Sequence, residues 1–368
     1  MMKRLLFLYF LFTFNFSFSQ QSQLTEQTVV SILTVGTADE SHSLYGHTAL
    51  RIKDTQTHTD VVYNYGMFDF ATANFALKFI KGDLQYFAAA YPYADFEYNY
   101  RFENRSIYEQ VLNLSFEEKQ SLYLKLNTTL YSENKFYTYK FIDRNCTTKV
   151  IDLVNHVLVN HPIVNKNVEN KTYRSVLFPY VENHFYQQLG INIIFGQKVD
   201  RKATTLFLPL DLYQNLEKIS YKNKPLVSET NILFEANRLT PFSFWDSIYS
   251  YSCILMLFVL LNTKITNTIY FFILGIIGLL FTLIGLYSFH QEVLWNYNVL
   301  LFNPIFLVLP FFIFKEKTIW IKRISWMGLF LIGIYTVFLL DKIHLKIMLP
   351  MVISTTIILF RMALKSSN

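Results

Sequence analysis

The chain has 368 residues, of which 52% are hydrophobic, 18% are aromatic and only 16% are charged. This composition is too apolar for an ordinary pair of soluble domains, so it predicts membrane segments. The formal net charge of +6 does not indicate nucleic-acid binding, because the basic residues are scattered or flank apolar runs, as they do in cytoplasmic loops of membrane proteins. We therefore expect no nucleic-acid partner.

The amino terminus has the layout of a secretory signal peptide. Two basic residues precede an apolar run that extends from Leu5 to about Phe18 and is followed by Ser19. We predict a signal peptide over residues 1–19. An uncleaved membrane anchor is the alternative, because the cleavage region lacks the usual alanines. In either case the domain that follows is expected to be exported.

Residues 25–222 have the patterns of a mixed α and β domain. Alternating apolar runs such as 29–35 predict strands, and a capping-box spacing that begins at Ser115 predicts a helix that extends to Leu130. Apolar residues at helical spacing predict a second helix that begins near Cys146. The exported part is therefore predicted to be an α+β domain.

The C-terminal part of the chain is strongly apolar and predicts an all-α bundle of five transmembrane helices. A polar segment without periodicity, 223–245, is predicted to be a linker. Five apolar runs occupy residues 246–361, and each is able to cross a bilayer: 246–262, 268–288, 299–314, 324–340 and 346–361. Residues 362–368 are predicted to be a cytoplasmic tail.

Basic residues give the expected orientation of this bundle. They follow the first, third and fifth runs, so these ends are expected in the cytoplasm. The loops around His290 and His344 are then expected on the same side as the exported domain, in agreement with a signal peptide. We predict a multi-pass protein of the inner (cytoplasmic) membrane with its first domain in the periplasm.

The strongest candidate for chemistry is Cys146, the only cysteine of the exported part. It stands at the predicted start of a helix, where the helix dipole and the nearby Arg144 and Lys149 favour the thiolate. A free thiol in an oxidising compartment is a liability unless it is used. The alternative is a buried cysteine that acts as a small hydrophobic residue. Cys253 lies in an apolar run, so we expect no disulfide.

A cysteine nucleophile needs a base, usually histidine, and a third polar group that orients it. His47 is the best candidate of six histidines before the membrane part, because it opens a predicted strand after Gly46. The next predicted strand, 61–66, should pair with the His47 strand, which makes Asn64 the candidate orienting residue. A turn-forming role is the alternative for Asn64. The sequence shows no metal-ligand spacing, so neither a metal nor another cofactor is expected.

The stretch from Phe68 to Phe102 is crowded with aromatic residues. We interpret most of them as core and interfacial side chains, and a groove for acyl chains is the alternative. If the domain lies on the bilayer surface, Lys78 and Lys81 are positioned to meet lipid phosphates.

Three motifs carry a resemblance to a known family: Tyr45–Ile52, Val62–Phe70 and Asp143–Thr148. A strand with histidine, a strand with a polar residue and then a cysteine at a helix start is the order of circularly permuted papain-like folds, as in the permuted cell-wall amidase and lecithin:retinol acyltransferase group. Together with its apolar C-terminal part, the chain resembles the Lnb-type bacterial lipoprotein N-acyltransferases. Thr48 stands where this family is expected to have serine, and Lys149 stands where arginine is usual.

The resemblance implies a circularly permuted papain-like fold with its catalytic cysteine and histidine at Cys146 and His47. It also implies transfer of a fatty acyl group from a membrane phospholipid donor, through a cysteine thioester, to the N-terminal amine of a lipoprotein acceptor. The predicted substrate-binding residues are Arg51, Tyr65, Asp69, Arg144 and Asn145 in the motifs, and His290, Asn296 and Asn298 in an exported loop of the membrane part.

Three other functions are compatible with the sequence. A papain-like peptidase or amidase would use the same residues on cell-wall peptide and pass the acyl group to water. A non-enzymatic envelope scaffold would keep its cysteine buried. A transporter is disfavoured, because the membrane runs contain few ionisable groups and no internal symmetry. The sequence does not predict the oligomeric state.

Overall fold

A computed structural model describes residues 24–40, 43–166, 171–238 and 241–364 of the chain. The predicted signal peptide, 1–19, lies outside these residues, and so does most of the predicted tail. The first part of the described chain is an α+β domain and the second part is helical, as the sequence predicts. The limits that the sequence assigns to the domains stay predictions.

A seven-stranded antiparallel sheet forms the centre of the first domain. The described strands are β1 (Val29–Val35), β2 (His47–Asp54), β3 (Thr59–Met67), β4 (Gln85–Pro92), β5 (Ile107–Leu112), β6 (Phe136–Thr138), β7 (Ser220–Tyr221), β8 (Lys224–Pro225) and β9 (Val227–Phe234). The order in the sheet is β6-β4-β3-β2-β1-β5-β9, while β7 and β8 pair with each other. The predicted pairing of the His47 strand with the Asn64 strand is confirmed at the middle of this sheet.

Helices cover both faces of the sheet. Those of the first domain are α1 (Phe75–Lys81), α2 (Tyr93–Phe102), α3 (Phe116–Leu130), α4 (Cys146–Val157), α5 (Tyr173–Leu177), α6 (Phe185–Ile194) and α7 (Pro209–Leu216). Leu126 of α3 and Val150 of α4 pack with Leu50 of β2 in one buried cluster. Phe96 of α2 packs with Val62 of β3 in a second cluster. The central strands are therefore buried on both sides.

Helix α3 begins where the capping box predicts. The amide of Glu118 donates to Ser115 Oγ at 3.3 Å, and the Glu118 carboxylate accepts from the Ser115 amide at 2.8 Å. These two bonds satisfy backbone donors that the first turn of a helix leaves unpaired. Leu122 and Leu126, four residues apart, are both fully buried, so one stripe of the helix faces the sheet.

The predicted linker 223–245 is wrong for part of its length, because Val227–Phe234 forms the edge strand β9 and pairs with β5. None of the eight residues of β9 is buried. A strand that buries neither face carries no alternation of apolar and polar residues, and this is the signal by which strands are recognised in a sequence. The sheet therefore extends by one strand beyond the predicted domain.

The second part contains α8 (Ile248–Leu261), α9 (Lys264–Tyr287), α10 (Val308–Phe314), α11 (Thr318–Leu339) and α12 (Leu345–Leu364). Two 3₁₀ helices, Tyr297–Leu300 and Pro304–Leu307, precede α10. Four segments are long and apolar enough to cross a membrane: Lys264–Tyr287, Tyr297–Phe314, Thr318–Leu339 and Leu345–Leu364. These segments indicate a multi-pass membrane protein. The first predicted span corresponds to α8, which is apolar but has only 14 residues.

The loop between α9 and the membrane segment Tyr297–Phe314 joins the two parts of the chain. We call residues 288–296 the docking loop. The Gly196 amide donates to the Glu292 carbonyl at 2.7 Å, and Asn296 Nδ2 donates to the Ile193 carbonyl at 2.8 Å. His344 also lies on this side, where its Nε2 is 3.3 Å from the Tyr297 hydroxyl. The docking loop therefore contacts the first domain, and the side of the membrane on which the two loops lie stays a prediction.

Gly278 permits close packing between α9 and the membrane segment Tyr297–Phe314. A Cβ atom built on Gly278 would lie 1.8 Å from the Phe302 carbonyl oxygen, whereas a Cβ on Gly285 of the same helix would meet no atom within 4 Å. Small residues at helix interfaces allow such close approaches in membrane proteins.

We expect Gly278→Ala to lower the thermal midpoint of the purified protein in detergent, because an added methyl group forces the backbone at Phe302 to move. Overpacking of this kind typically costs about 1–3 kcal/mol. Gly285→Ala is the matched control and should leave the midpoint unchanged. Scanning fluorimetry measures both variants, and equal midpoints would contradict the close packing.

Candidate active site

Cys146 is the first residue of α4, and Asn145 caps that helix. Asn145 Oδ1 accepts from the Thr148 amide at 3.0 Å, and the Asn145 amide donates to Thr148 Oγ1 at 2.8 Å. The Asn145 Nδ2 group donates to the carbonyls of Phe141 and Phe207, each at 2.8 Å. The helix start is therefore held on three sides. The predicted position of Cys146 at a helix start is confirmed.

His47 and Asn64 are brought together by the pairing of β2 and β3. Ala49 pairs with Asn64, and His47 lies two residues before Ala49 on β2. The side chains of His47 and Asn64 therefore share one face of the sheet. His47 Nε2 is 3.0 Å from Asn64 Oδ1. An amide oxygen only accepts hydrogen bonds, so Nε2 carries a hydrogen and donates a hydrogen bond to Asn64 Oδ1. Nδ1 is then the ring nitrogen that is able to accept a proton.

The surroundings of Cys146 favour its thiolate. Burial raises the pKa of the Cys146 thiol, but the charge of His47 and hydrogen bonds from His47, the Thr48 amide and the Thr147 hydroxyl outweigh it. The net effect holds the pKa of Cys146 below its usual value. Low pKa and partial burial are typical of reactive cysteines rather than of structural ones.

Two hydroxyl groups join the strand that carries the histidine to the helix that carries the cysteine. Thr48 follows His47, Thr147 follows Cys146, and their Oγ1 atoms lie 3.0 Å apart in the interior. The threonine that differs from the expected serine thus keeps a hydroxyl in this position. This bond fixes the distance between the two neighbouring catalytic candidates.

Gly66 of β3 lies next to Cys146. Its φ angle is +96°, in a region that favours glycine, and it lies where the pairing of β3 with β4 shifts register. A Cβ built on Gly66 would be 3.7 Å from the Cys146 Cβ and 4.0 Å from the Tyr137 hydroxyl oxygen. The bulge at Gly66 therefore lies between the candidate nucleophile and a phenol.

Tyr137 is a residue of this site that the sequence did not single out. It lies on β6 and is 3% exposed. The Gly66 amide approaches its hydroxyl oxygen, but the described residues offer no acceptor for the hydroxyl proton. Burial, followed by the negative charge of Cys146, raises the pKa of Tyr137, so the phenol keeps its proton. An unpaired buried donor beside a nucleophile calls for a functional explanation. No local pattern distinguishes Tyr137 from the other 24 tyrosines of the chain.

The predicted substrate-binding residues of the first domain lie in different surroundings. Tyr65 is buried 6.4 Å from the Tyr137 ring, and the exposed Arg144 lies 5.4 Å above that ring, so both are near the site. Asp69 is exposed, and its Oδ1 accepts from the Ala71 amide at 2.8 Å. Asn145 is occupied as the helix cap. Substrate contact by these residues stays a prediction.

Arg51 is buried in an ion-pair network on β2. Its Nε and Nη2 atoms donate to the two carboxylate oxygens of Asp60 at 2.7 Å each, and Nη1 donates to Glu109 at 3.0 Å. The guanidinium carbon also lies 3.4 Å from the centre of the Tyr93 ring. These contacts use the hydrogen-bonding edges of the guanidinium to hold strands together.

The three predicted residues of the membrane part lie where it meets the first domain. His290 Nε2 is 2.9 Å from the Phe79 carbonyl oxygen. Asn296 donates to the Ile193 carbonyl at 2.8 Å, and the fully buried Asn298 donates to the Asn192 carbonyl at 3.1 Å. The structure therefore gives all three a place in the contact between the two parts. Their predicted role in substrate binding has no further support.

The described residues contain no group of three or more histidine, cysteine or acidic side chains that could hold a metal ion. The described side chains that meet at this site are a candidate nucleophile, a candidate base, an amide and a phenol.

The thiol pKa can be tested by alkylation in a Cys253→Ser background, where Cys146 is the remaining cysteine. The thiolate is populated above the pKa of the thiol, so a lowered pKa extends reactivity to lower pH. We expect iodoacetamide to react with Cys146 at lower pH than with an ordinary peptide thiol. His47→Ala should move the midpoint of the pH profile of alkylation to higher pH. Identical pH profiles for the two proteins would contradict the interaction between His47 and Cys146.

Comparison with known proteins addresses the family that the motifs predict. No curated protein and no solved structure matches the chain. A family model described as the Lnb N-terminal periplasmic domain matches residues 17–178, which include Cys146, His47 and Asn64. The resemblance predicted from the sequence motifs is confirmed for this region. The N-terminal part of this multi-pass membrane protein therefore belongs to the family of Lnb N-terminal periplasmic domains.

Proposed function

We propose that this protein transfers a fatty acyl group from a phospholipid of the inner membrane to the N-terminal amine of lipoproteins through a thioester at Cys146. The observation that carries the proposal is the arrangement of Cys146, His47 and Asn64 at a capped helix start, in an Lnb domain that is attached to membrane helices. The order of these residues along the chain is also that of a circularly permuted papain-like enzyme, which we include in the proposal.

In the first half-reaction, His47 Nδ1 takes the proton from the Cys146 thiol, and the thiolate attacks an ester carbonyl of the phospholipid. The tetrahedral intermediate collapses when the ester C–O bond breaks. The imidazolium returns its proton to the leaving glycerol oxygen, so a lyso-lipid departs and an S-acyl enzyme remains. Asn64 keeps the ring oriented throughout this step, because its Oδ1 accepts a hydrogen bond from the Nε2–H group.

In the second half-reaction, a neutral amine attacks the thioester carbonyl. His47 takes the proton that the amine loses, and the C–S bond breaks to release the Cys146 thiolate, which recovers its proton. The product is an amide on the N-terminal residue of the lipoprotein. If water were the acceptor instead, the same residues would act as a hydrolase, so the acceptor distinguishes the transferase from a peptidase or amidase.

Both half-reactions pass through an oxyanion that needs hydrogen-bond donors. The amide groups of the first turn of α4 are one source, because the start of a helix carries unpaired N–H groups and a positive dipole end. The Tyr137 hydroxyl is a second source, since it is protonated and buried and its proton has no acceptor among the described residues. We propose that Tyr137 donates to the oxyanion.

The membrane part supports a lipid substrate over a soluble one. Donor and acceptor are both held in the bilayer in the proposed reaction, so a thiolate fixed near the bilayer gains from proximity. The docking loop reaches the segment that leads to the nucleophile, because Glu292 accepts a hydrogen bond from the Ile142 amide at 3.3 Å. A domain that only needed an anchor would not require contacts so close to its nucleophile.

The proposal is tested by mass spectrometry of the full chain purified from membranes. We expect a fatty-acyl mass on Cys146 that hydroxylamine removes, because thioesters are labile to this reagent, and a more stable oxyester in Cys146→Ser. Cys253→Ser should keep the modification, whereas Cys146→Ala should lose it.

Addition of a lipoprotein peptide with a free N-terminal amine should discharge the acyl group to that peptide. Discharge to water alone would favour the hydrolase. An unmodified Cys146 together with unchanged lipoprotein processing in Cys146→Ala cells would contradict the enzymatic proposal and favour a scaffold.

Tyr137→Phe removes the proposed oxyanion donor without changing the shape of the ring. Loss of one such donor typically costs about 100-fold or more in rate. We expect a loss of this order in acylation of Cys146, measured by mass spectrometry over time. Alkylation of Cys146 by iodoacetamide forms no oxyanion and should proceed at the wild-type rate. Equal losses in both reactions would instead assign a packing role to Tyr137.

A further inference from the structure

Helix α1 is attached to the end of a membrane helix. Ser288, the residue after α9, donates from its hydroxyl to the Ile80 carbonyl at 2.7 Å. The Phe289 amide donates to the Lys81 carbonyl at 2.6 Å. These bonds use carbonyls of the last turn of α1, which have no partners within the helix itself. The position of α1 is therefore set by the end of a segment that is long and apolar enough to span a bilayer.

A glycine makes this attachment close. Gly82 ends α1 with a φ angle of +75°, and a Cβ built on it would lie 2.8 Å from Cδ2 of His290. The imidazole fills the space that a side chain would need, and its Nε2 donates to the Phe79 carbonyl. Three consecutive residues of the docking loop thus contact the C-terminal end of α1 or the glycine that follows it.

Helix α1 exposes apolar side chains instead of burying them. None of its seven residues is buried. We call its most exposed apolar residues, together with the preceding Phe70, the lipid face: Phe70 (73% exposed), Leu77 (59%), Phe79 (47%) and Ile80 (40%). A contiguous exposed apolar surface of this kind indicates a binding partner or a membrane.

Aromatic side chains at the ends of the membrane segments indicate the partner. Tyr287 and Phe289 are each about half exposed, and Trp295 is 83% exposed, and all three adjoin the attachment of α1 along the chain. Aromatic residues of this kind form belts at the level of lipid headgroups. Lys78 and Lys81 of α1 have the charge that suits anionic headgroups at this level. The lipid face therefore belongs to a helix that is attached, through Ser288 and Phe289, to the end of the membrane segment Lys264–Tyr287.

A row of aromatic rings leads from the lipid face towards the nucleophile. Ring centres of Phe79 and Phe75 are 6.4 Å apart, and those of Phe75 and Phe68 are 5.9 Å apart. Phe68 lies 5.2 Å from Tyr86, and Tyr86 stacks on Tyr139 at 4.4 Å. The row ends close to Cys146, since Tyr86 pairs with Tyr137 across β4 and β6. A Cβ built on Gly66 would lie 4.0 Å from the Tyr137 hydroxyl oxygen and 3.7 Å from the Cys146 Cβ.

We propose that α1 lies in the periplasmic leaflet interface of the bilayer, with the lipid face among the acyl chains, and that the aromatic row receives the acyl chain of the glycerolipid that acylates Cys146. The position of α1 does not depend on the reaction. The role of the aromatic row rests on the proposed function. Two experiments separate these claims.

The first experiment measures depth in the bilayer. Leu77→Cys is made in the full chain with Cys146→Ser and Cys253→Ser, labelled with an environment-sensitive fluorophore and reconstituted in phosphatidylethanolamine and phosphatidylglycerol vesicles that contain brominated phospholipid. We expect strong quenching. Leu124→Cys on α3 is the matched control, because Leu124 is a helical leucine with 56% exposure, and it should not be quenched. Equal, weak quenching at both positions would overturn the placement of α1.

The second experiment measures acylation of Cys146 from two donors. Leu77→Glu should slow acylation from phospholipid vesicles severalfold and leave acylation by a water-soluble short-chain acyl ester unchanged, while Leu124→Glu should change neither. Equal slowing with both donors, or with neither, would overturn delivery from the lipid face. If the wild type is acylated by neither donor, the proposed function fails, and the quenching result alone decides where α1 lies.

Discussion

The geometry of the candidate site depends on how firmly Asn145 holds the start of α4. Its side chain caps α4 through Thr148 and also holds the carbonyls of Phe141 and Phe207, which belong to different segments. The thiol that follows is thereby fixed at the positive end of a helix dipole, beside the strand that carries His47. Without this cap, the pairing of nucleophile and base would depend on the weaker contacts of a surface loop.

The central part of the site could be predicted from the sequence because its signals are local. A polar residue before an apolar helical repeat placed Cys146 at a helix start, and two alternating strands separated by a short turn placed His47 near Asn64. Tyr137 and Gly66 could not be predicted in the same way, because their importance arises from the pairing of strands that are distant in sequence. The edge strand β9 was missed because it buries neither face.

In the membrane part, too, some features could be predicted from the sequence and others could not. Its apolar runs were predictable from composition, yet the short α8 and the break before Pro304 depend on local geometry. Asn303 Oδ1 accepts from the Ile305 amide at 3.0 Å, and its Nδ2 donates to the Val299 carbonyl at 3.2 Å, so the side chain satisfies backbone groups that the break releases. The polar residues of the docking loop were predicted to bind substrate. The structure gives them backbone carbonyls as partners, because a contact between two parts of a chain also needs its polar groups satisfied.

The bond between Glu292 and the Ile142 amide has a consequence for how this protein can be divided. Glu292 is 1% exposed and belongs to the membrane part, but it holds a backbone group only four residues before the nucleophile. The contacts that hold the candidate site therefore cross the boundary between the first domain and the apolar helices. A fragment of the first domain cut free of the apolar helices would leave the Ile142 amide without this partner, so the helices help to hold the segment that leads to Cys146.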